Sequence, residues 1–129
     1  MNVVADQGKR VVIVVEDDLS VLRSLRRLIA WSGFAVLAFA RPRAVLEADL
    51  PKSNACLVVD VYLPEMTGIE LCQELAAAGL QLPTIIITGG TDEATRERTR
   101  QADAVAVLFK PFSREALLEA LGRAFGSQN

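Results

Sequence analysis

Acidic, hydroxyl and amine residues follow four short apolar runs in this 129-residue sequence. Glu16-Asp17-Asp18 follows residues 11–15, and three later runs lead into Asp60, Thr88 and Lys110. Crowded carboxylates repel one another unless a cation lies between them, and oxygen ligands with no Cys or His nearby favour Mg²⁺ over Zn²⁺. An aspartate attacks phosphorus only when the incoming charge is neutralised, which Mg²⁺, an ammonium group and a hydroxyl together provide. The four positions therefore indicate phosphoryl chemistry at a shared site.

The charge balance and the absence of histidine exclude several functions. The sequence has 14 Lys and Arg against 16 Asp and Glu, with no His, so no basic field favours nucleic acid and no imidazole activates a nucleophile or binds a metal. Cys56 and Cys72 lack the spacing of a zinc or redox motif and are interpreted as buried thiols in a reducing cytoplasm. No apolar run approaches the ~20 residues of a membrane span. We expect a cytoplasmic protein that contacts neither membrane nor nucleic acid directly.

Five apolar runs must place these residues: 11–15, 34–39, 56–59, 84–87 and 104–109. Helical periods separate them, so the chain alternates strand and helix five times, as in α/β folds. Runs that are apolar on both faces predict central parallel strands covered by helices on each side. In such a doubly wound sheet the carboxyl ends of the strands share one edge, where ligands bind. For Asp18 taken alone, capping the next helix is the simpler interpretation.

Capping signals support these boundaries. Thr67 and Glu70 form a capping box, Ser113 is placed to cap the last helix, and Gly33 and Gly79 follow helical runs. We expect one domain over residues 10–125, with a flexible leader at 1–9 and a tail at 126–129.

The fourth helical segment is unusually polar. Between residues 91 and 101 only Ala94 is apolar, whereas a surface helix normally has an apolar stripe. Two interpretations stay open: a largely solvated helix held by charge pairs, or a mobile segment that faces a partner.

Taken together, the motifs resemble the receiver domain of two-component response regulators over nearly the whole chain. The residues that carry the resemblance are Asp17-Asp18, Asp60-Val61-Tyr62-Leu63-Pro64, Met66-Thr67-Gly68, Thr88 and Lys110-Pro111-Phe112. The resemblance implies a flavodoxin-like sheet of five parallel strands in the order 2-1-3-4-5, with five helices. It implies that Asp60 accepts phosphate, that Thr88 and Lys110 hold the phosphoryl group, and that the Lys110–Pro111 peptide bond is cis. The metal ligands it implies for Mg²⁺ are Asp17, Asp18, Asp60 and the Tyr62 backbone carbonyl.

The same resemblance implies the partners. The donor is a sensor histidine kinase or a histidine phosphotransfer protein, and the output is a downstream protein or a DNA-binding domain outside this sequence. A homodimer through the fourth helix, fifth strand and fifth helix is a further expectation. The chain is expected to catalyse only its own phosphorylation and dephosphorylation, and not to act as an enzyme on other substrates.

Some positions depart from the family pattern. Val107 stands where an aromatic switch residue is usual, so the readout must use another element, such as Thr88 or the fourth helix; Phe109 shares its strand parity and is either a substitute ring or ordinary core. Gly90 has no side chain to place a water and Tyr62 is bulky, from which we expect a long-lived aspartyl phosphate.

Two alternatives remain beside the phosphoacceptor. One is a receiver fold that serves as an interaction module with weak or phosphorylation-independent signalling. The other is a small doubly wound hydrolase or nucleotide-binding protein. This second alternative is disfavoured because no G-x-G-x-x-G motif follows a strand and residues 16–18 would repel a phosphate.

Overall fold

One parallel sheet of five strands organises the chain. The computed structural model describes residues 8–90 and 92–126, and its strands lie in the order β2-β1-β3-β4-β5, which confirms the expected topology. The strands are β1 (Val11–Val15), β2 (Ala35–Phe39), β3 (Ala55–Asp60), β4 (Thr84–Thr88) and β5 (Ala106–Phe109). Every residue of β3 and β4 is buried, as expected for central strands covered on both faces.

Five helices alternate with these strands. They are α1 (Leu19–Trp31), α2 (Pro42–Glu47), α3 (Gly68–Ala77), α4 (Glu93–Gln101) and α5 (Arg114–Gly126). The apolar side chains of α1 and α5 pack on one face of the sheet. Those of α2 and α3 pack on the other face. The alternation predicted from the apolar runs is therefore a doubly wound α/β layer structure.

The capping residues lie at the helix ends where the sequence predicted them. Thr67 and Glu70 form the reciprocal capping box of α3. The Ser113 hydroxyl accepts a hydrogen bond from the Ala116 N–H at 3.0 Å at the start of α5. Gly33 and Gly79 follow α1 and α3 with φ of +100° and +92°, in the left-handed region that favours glycine.

Helix α4 forms, and threonines rather than an apolar stripe provide its buried face. Ala94 is exposed, while Thr95 and Thr99, four residues apart on one face, are 1% and 7% exposed. The expected charge pairing is present between Arg100 and Glu97, whose charged atoms lie 3.1 Å apart. Two threonines thus take the positions that apolar side chains occupy in the other helices.

The outer surface carries one unusual aromatic residue. Trp31, the only tryptophan, is the last residue of α1, and 85% of its surface is exposed.

Within residues 8–90 and 92–126, no helix has both the length and the apolar character needed to cross a membrane. The predicted leader and tail fall mostly on residues 1–7 and 127–129, which lie outside the described residues.

Candidate functional site

The register of the sheet brings the predicted residues to one edge. Val15 of β1 is level with Val59 of β3, so the next residues, Glu16 and Asp60, are also level. Thr88 of β4 pairs with Phe109 of β5, and Lys110 follows directly. The four strand ends therefore converge at the carboxyl edge of the sheet, where ligands of doubly wound folds bind.

Lys110 joins two buried carboxylates at this edge. Its Nζ lies 2.7 Å from Glu16 Oε1 and 2.7 Å from Asp60 Oδ2. Glu16 and Asp60 are only 1% and 5% exposed. Because charge-assisted hydrogen bonds in a buried setting are strong, the ammonium group holds both carboxylates in place.

The electrostatics of these groups follow from burial and pairing. Burial raises the pKa of Glu16, while the hydrogen bond from Lys110 opposes that rise. Burial alone would lower the pKa of Lys110, but its hydrogen bonds to Asp60 and Glu16 raise it overall. Lys110 is therefore a protonated ammonium between the two carboxyl groups.

Three carboxyl groups form the cluster that can hold a metal. One carboxylate oxygen each from Glu16, Asp17 and Asp60 lies within 4.8 Å of the others. Hard oxygen donors in this number, with Asp17 open to solvent, suit Mg²⁺, which keeps several waters. The residues present therefore fit the expected ion.

Asp18 lies elsewhere. Its carboxylate caps α1 by accepting hydrogen bonds from the N–H groups of Ser20 and Val21 at 3.0 and 3.2 Å. Its own N–H donates to Glu16 Oε2 at 3.0 Å. The structure thus brings Glu16, which was predicted at this edge but not as a metal ligand, into the carboxylate cluster, while Asp18 as a metal ligand stays a prediction. Glu16 directly follows Val15, the last paired residue of β1, and this position in the register is the signal that could have identified it.

The loop after Asp60 is held tightly against the strand end. The Tyr62 N–H donates to Asp60 Oδ1 at 3.0 Å. A Cβ on Gly68 would lie 2.1 Å from the Asp60 carbonyl oxygen, so only glycine allows α3 to begin this close. Tyr62 itself is 45% exposed, and its backbone carbonyl as a metal ligand stays a prediction.

Thr88 and the segment around Lys110 complete the edge. Thr88 is fully buried, and its hydroxyl accepts a hydrogen bond from the Gly90 N–H at 3.0 Å, which leaves the hydroxyl hydrogen free to donate. The Lys110–Pro111 peptide bond is cis, as expected. Val107 packs half-buried against the core, and Phe109 is 40% exposed.

Fold and site together define a doubly wound α/β domain with a buried aspartate, a lysine and an acidic cluster at its ligand-binding edge. The model of the response regulator receiver domain matches residues 12–122. The chain therefore belongs to the response regulator receiver domain family.

Relatives of known sequence and structure agree. The chain is 41% identical over 113 residues to Nodulation protein W of Bradyrhizobium diazoefficiens, covering 88% of this chain and 50% of that protein. It is 35% identical to the transcriptional regulatory protein FixJ of Azorhizobium caulinodans, covering 88% and 54%. The crystal structure of FixJ-N has a TM-score of 0.82 at 32% identity, covering 92% of this chain and 94% of that one. The chain spans about half the length of these curated relatives.

Proposed function

We propose that this domain accepts a phosphoryl group on Asp60 in a Mg²⁺-dependent reaction and relays the signal by a change of conformation. The observation that carries the proposal is the pairing of a buried Asp60 carboxylate with the Lys110 ammonium 2.7 Å away. The positive charge of Lys110 beside this carboxylate offsets the negative charge of an incoming phosphoryl group.

In the transfer, an Asp60 carboxylate oxygen attacks the phosphorus of a phosphohistidine. The bond from phosphorus to the donor nitrogen breaks, the electron pair stays with that nitrogen, and a new oxygen–phosphorus bond forms. Lys110 is already beside this carboxylate, so its ammonium is in reach of the phosphoryl oxygens, and Thr88 retains a hydroxyl hydrogen to donate to them. Glu16, Asp17 and Asp60 are the residues that would hold Mg²⁺, which when bound neutralises phosphoryl charge.

The partners follow from the chemistry. None of the 129 residues is a histidine, so the donor imidazole lies outside this sequence, and we propose that a sensor histidine kinase or a histidine phosphotransfer protein supplies it. We further propose that the domain acts in the cytoplasm, performs no reaction except on its own aspartate, and passes its signal to an output protein or DNA-binding domain. A homodimer through α4, β5 and α5 is the proposed active assembly.

The proposal is tested with acetyl phosphate and Mg²⁺, followed by intact-mass measurement. The parent is expected to gain one phosphoryl group, and Asp60→Asn or chelation of the metal is expected to abolish the gain. Asp17→Asn should weaken Mg²⁺ binding, so that much more Mg²⁺ is needed for the same gain of mass. Asp18→Asn is the matched control, because asparagine also caps helices and should leave the reaction close to that of the parent.

An unmodified parent mass with Mg²⁺ present would overturn the proposal. It would favour the second candidate, a receiver fold that serves as an interaction module. The half-buried Val107, which offers no ring to move on phosphorylation, is the observation that favours this candidate.

The lifetime of the phosphoryl group is a further part of the proposal. Gly90 carries no side chain to hold an attacking water near Thr88, and Tyr62 adds bulk beside Asp60. We expect a long-lived aspartyl phosphate, and a half-life of seconds after removal of acetyl phosphate would contradict this.

A further inference from the structure

Two hydroxyl groups connect the loop after Asp60 to helix α4. The Tyr62 Oη and the Thr95 Oγ1 lie 2.5 Å apart, within hydrogen-bonding distance. Thr95 is 1% exposed and Tyr62 is 45% exposed, so the contact is partly shielded from water. Tyr62 also donates its backbone N–H to Asp60 Oδ1 at 3.0 Å. One residue therefore touches both the candidate phosphoacceptor and α4.

Thr95 also belongs to the cap of α4. Its N–H donates to Asp92 Oδ1 at 3.2 Å, and Asp92 is the residue that caps the helix. The Tyr62 hydroxyl therefore meets α4 in its first turn, at the residue that is bonded to the cap.

A second loop of the site meets the same threonine. The Gly90 N–H donates to the buried Thr88 hydroxyl at 3.0 Å. A Cβ on Gly90 would lie 2.8 Å from Thr95 Oγ1, so the loop after β4 lies directly against this side chain. Both loops that follow the central strands β3 and β4 thus contact Thr95.

Helix α4 buries few of the side chains that the structure describes. Among the side chains of α4 that the structure describes, only Thr95 and Thr99 are buried, and the Thr99 hydroxyl donates to the Arg96 carbonyl of its own helix. Thr95 therefore links α4 to the loop at the site by a side-chain hydrogen bond.

We propose that Tyr62 is a positioning residue for α4, and that its hydrogen bond to Thr95 transmits the state of Asp60 to that helix. The transmission rests on the proposed function, whereas the positioning does not. Conversion of the Asp60 carboxylate to an acyl phosphate removes charge from the oxygens that accept the Tyr62 N–H, and hydrogen bonds to charged acceptors are the stronger ones. Tyr62 then shifts, and the start of α4 shifts with the hydroxyl pair.

The first arm of the test needs no phosphorylation. Hydrogen exchange of the α4 amides is measured in the parent, Tyr62→Phe, Thr95→Val and Thr99→Val. Loss of the hydroxyl pair in either of the first two variants is expected to speed exchange about fivefold, or ~1 kcal/mol. Thr99→Val, the matched control, removes a hydroxyl bonded only within α4 and should change exchange less than about twofold. Thr95→Ser keeps the hydroxyl and should stay near the parent.

The second arm adds acetyl phosphate and Mg²⁺ and repeats the exchange measurement, with intact mass as a check on Asp60. The parent should show a change in α4 exchange on phosphorylation. Thr95→Val removes the same hydroxyl pair from the helix side and should show the same mass gain without that change.

Three results would overturn the inference. One is exchange in Tyr62→Phe and Thr95→Val no faster than in Thr99→Val, which removes the positioning role. The second is a phosphorylated parent with no α4 response, and the third is a phosphorylated Thr95→Val variant with the full response; either of these removes the transmission. If the parent gains no mass at all, the proposed function fails, and the first arm still decides the positioning role.

Discussion

Helices α1 and α4 cover the same sheet and begin with the same kind of cap, yet they are held by different forces. Asp18 caps α1 and Asp92 caps α4 through side-chain acceptance of backbone N–H groups. Helix α1 buries Leu22, Leu25 and Ile29. Helix α4 buries two threonines instead.

The difference separates a structural helix from one that can move. Full burial of a Leu or Ile side chain contributes ~1.5–3 kcal/mol, so α1 leaves the sheet only when the whole domain unfolds. A net hydrogen bond contributes ~1 kcal/mol, so α4 can shift or open at a small fraction of the total stability. Helix α4, which contacts both loops through Thr95, thus depends for its position on few, directional contacts.

The largest expected effect comes from truncating the apolar face of α1. Ile29→Ala removes a fully buried side chain and should lower the free energy of unfolding by about 3 kcal/mol, measured by urea denaturation. Thr99→Ala on α4 should cost less than half as much. Equal losses for the two variants would show that α4 is held as firmly as α1.

A steric change at the other helix should act locally. Gly90→Ala places a Cβ 2.8 Å from Thr95 Oγ1, and we expect ~1–2 kcal/mol less protection of the α4 amides in hydrogen exchange. Gly89→Ala is the control, since its Cβ would meet nothing within 4 Å. The comparison of the helices fails if the control disturbs α4 equally or if α1 loses protection as well.

Removing each helix cap tests the same contrast. Asp18→Ala leaves N–H groups of α1 without an acceptor and should reduce global stability by ~1 kcal/mol in urea denaturation. Asp92→Ala should instead speed exchange in α4 with little change in the urea midpoint. A global loss from Asp92→Ala would contradict independent opening of α4.

A stabilising substitution in the layer that contains α1 should raise the stability of the whole domain. Gly122 lies within α5, which packs beside α1, and a Cβ there would meet nothing within 4 Å. Gly122→Ala should raise the free energy of unfolding by ~0.5–1 kcal/mol because alanine is the better helix former. A lower thermal unfolding midpoint for Gly122→Ala than for the parent would contradict this prediction.

The smallest effect is the pH dependence of the α4 cap. Hydrogen bonds from the Thr95 hydroxyl and then its N–H lower the pKa of Asp92 below its ordinary 3.8. The cap therefore contributes at pH values above 3.8 and is lost as the pH falls through the lowered pKa of the folded state. A carboxyl-carbon NMR titration should show this low midpoint, and Thr95→Val should move it upward. An unchanged midpoint would remove the Thr95 hydroxyl from the cap.

Much of this arrangement follows from the sequence for simple reasons. Strands buried on both faces have continuous apolar runs, and parallel strands must end at one edge, so Asp60, Thr88 and Lys110 were predicted to meet. The capping box of α3 needs only two residues at a fixed spacing, which is why its position was also correct.

Other features depend on geometry that composition does not show. The choice of Glu16 over Asp18 depends on how far each lies beyond the paired strand, and Asp18 instead caps a helix. Thr95 is polar and therefore adds nothing to an apolar stripe, yet it is buried because its hydroxyl pairs with that of Tyr62, 33 positions earlier in the chain. Contacts between distant residues of this kind leave no periodic signal.

The exposed indole at the end of α1 has a practical consequence for spectroscopy. Since Trp31 is the only tryptophan and is 85% exposed, its fluorescence in the native state already resembles that of an indole in water. Emission wavelength is therefore a poor monitor of unfolding for this domain, and circular dichroism is the better one. For the same reason the indole is free to report on any surface that approaches α1, through quenching or a blue shift that folding itself does not produce.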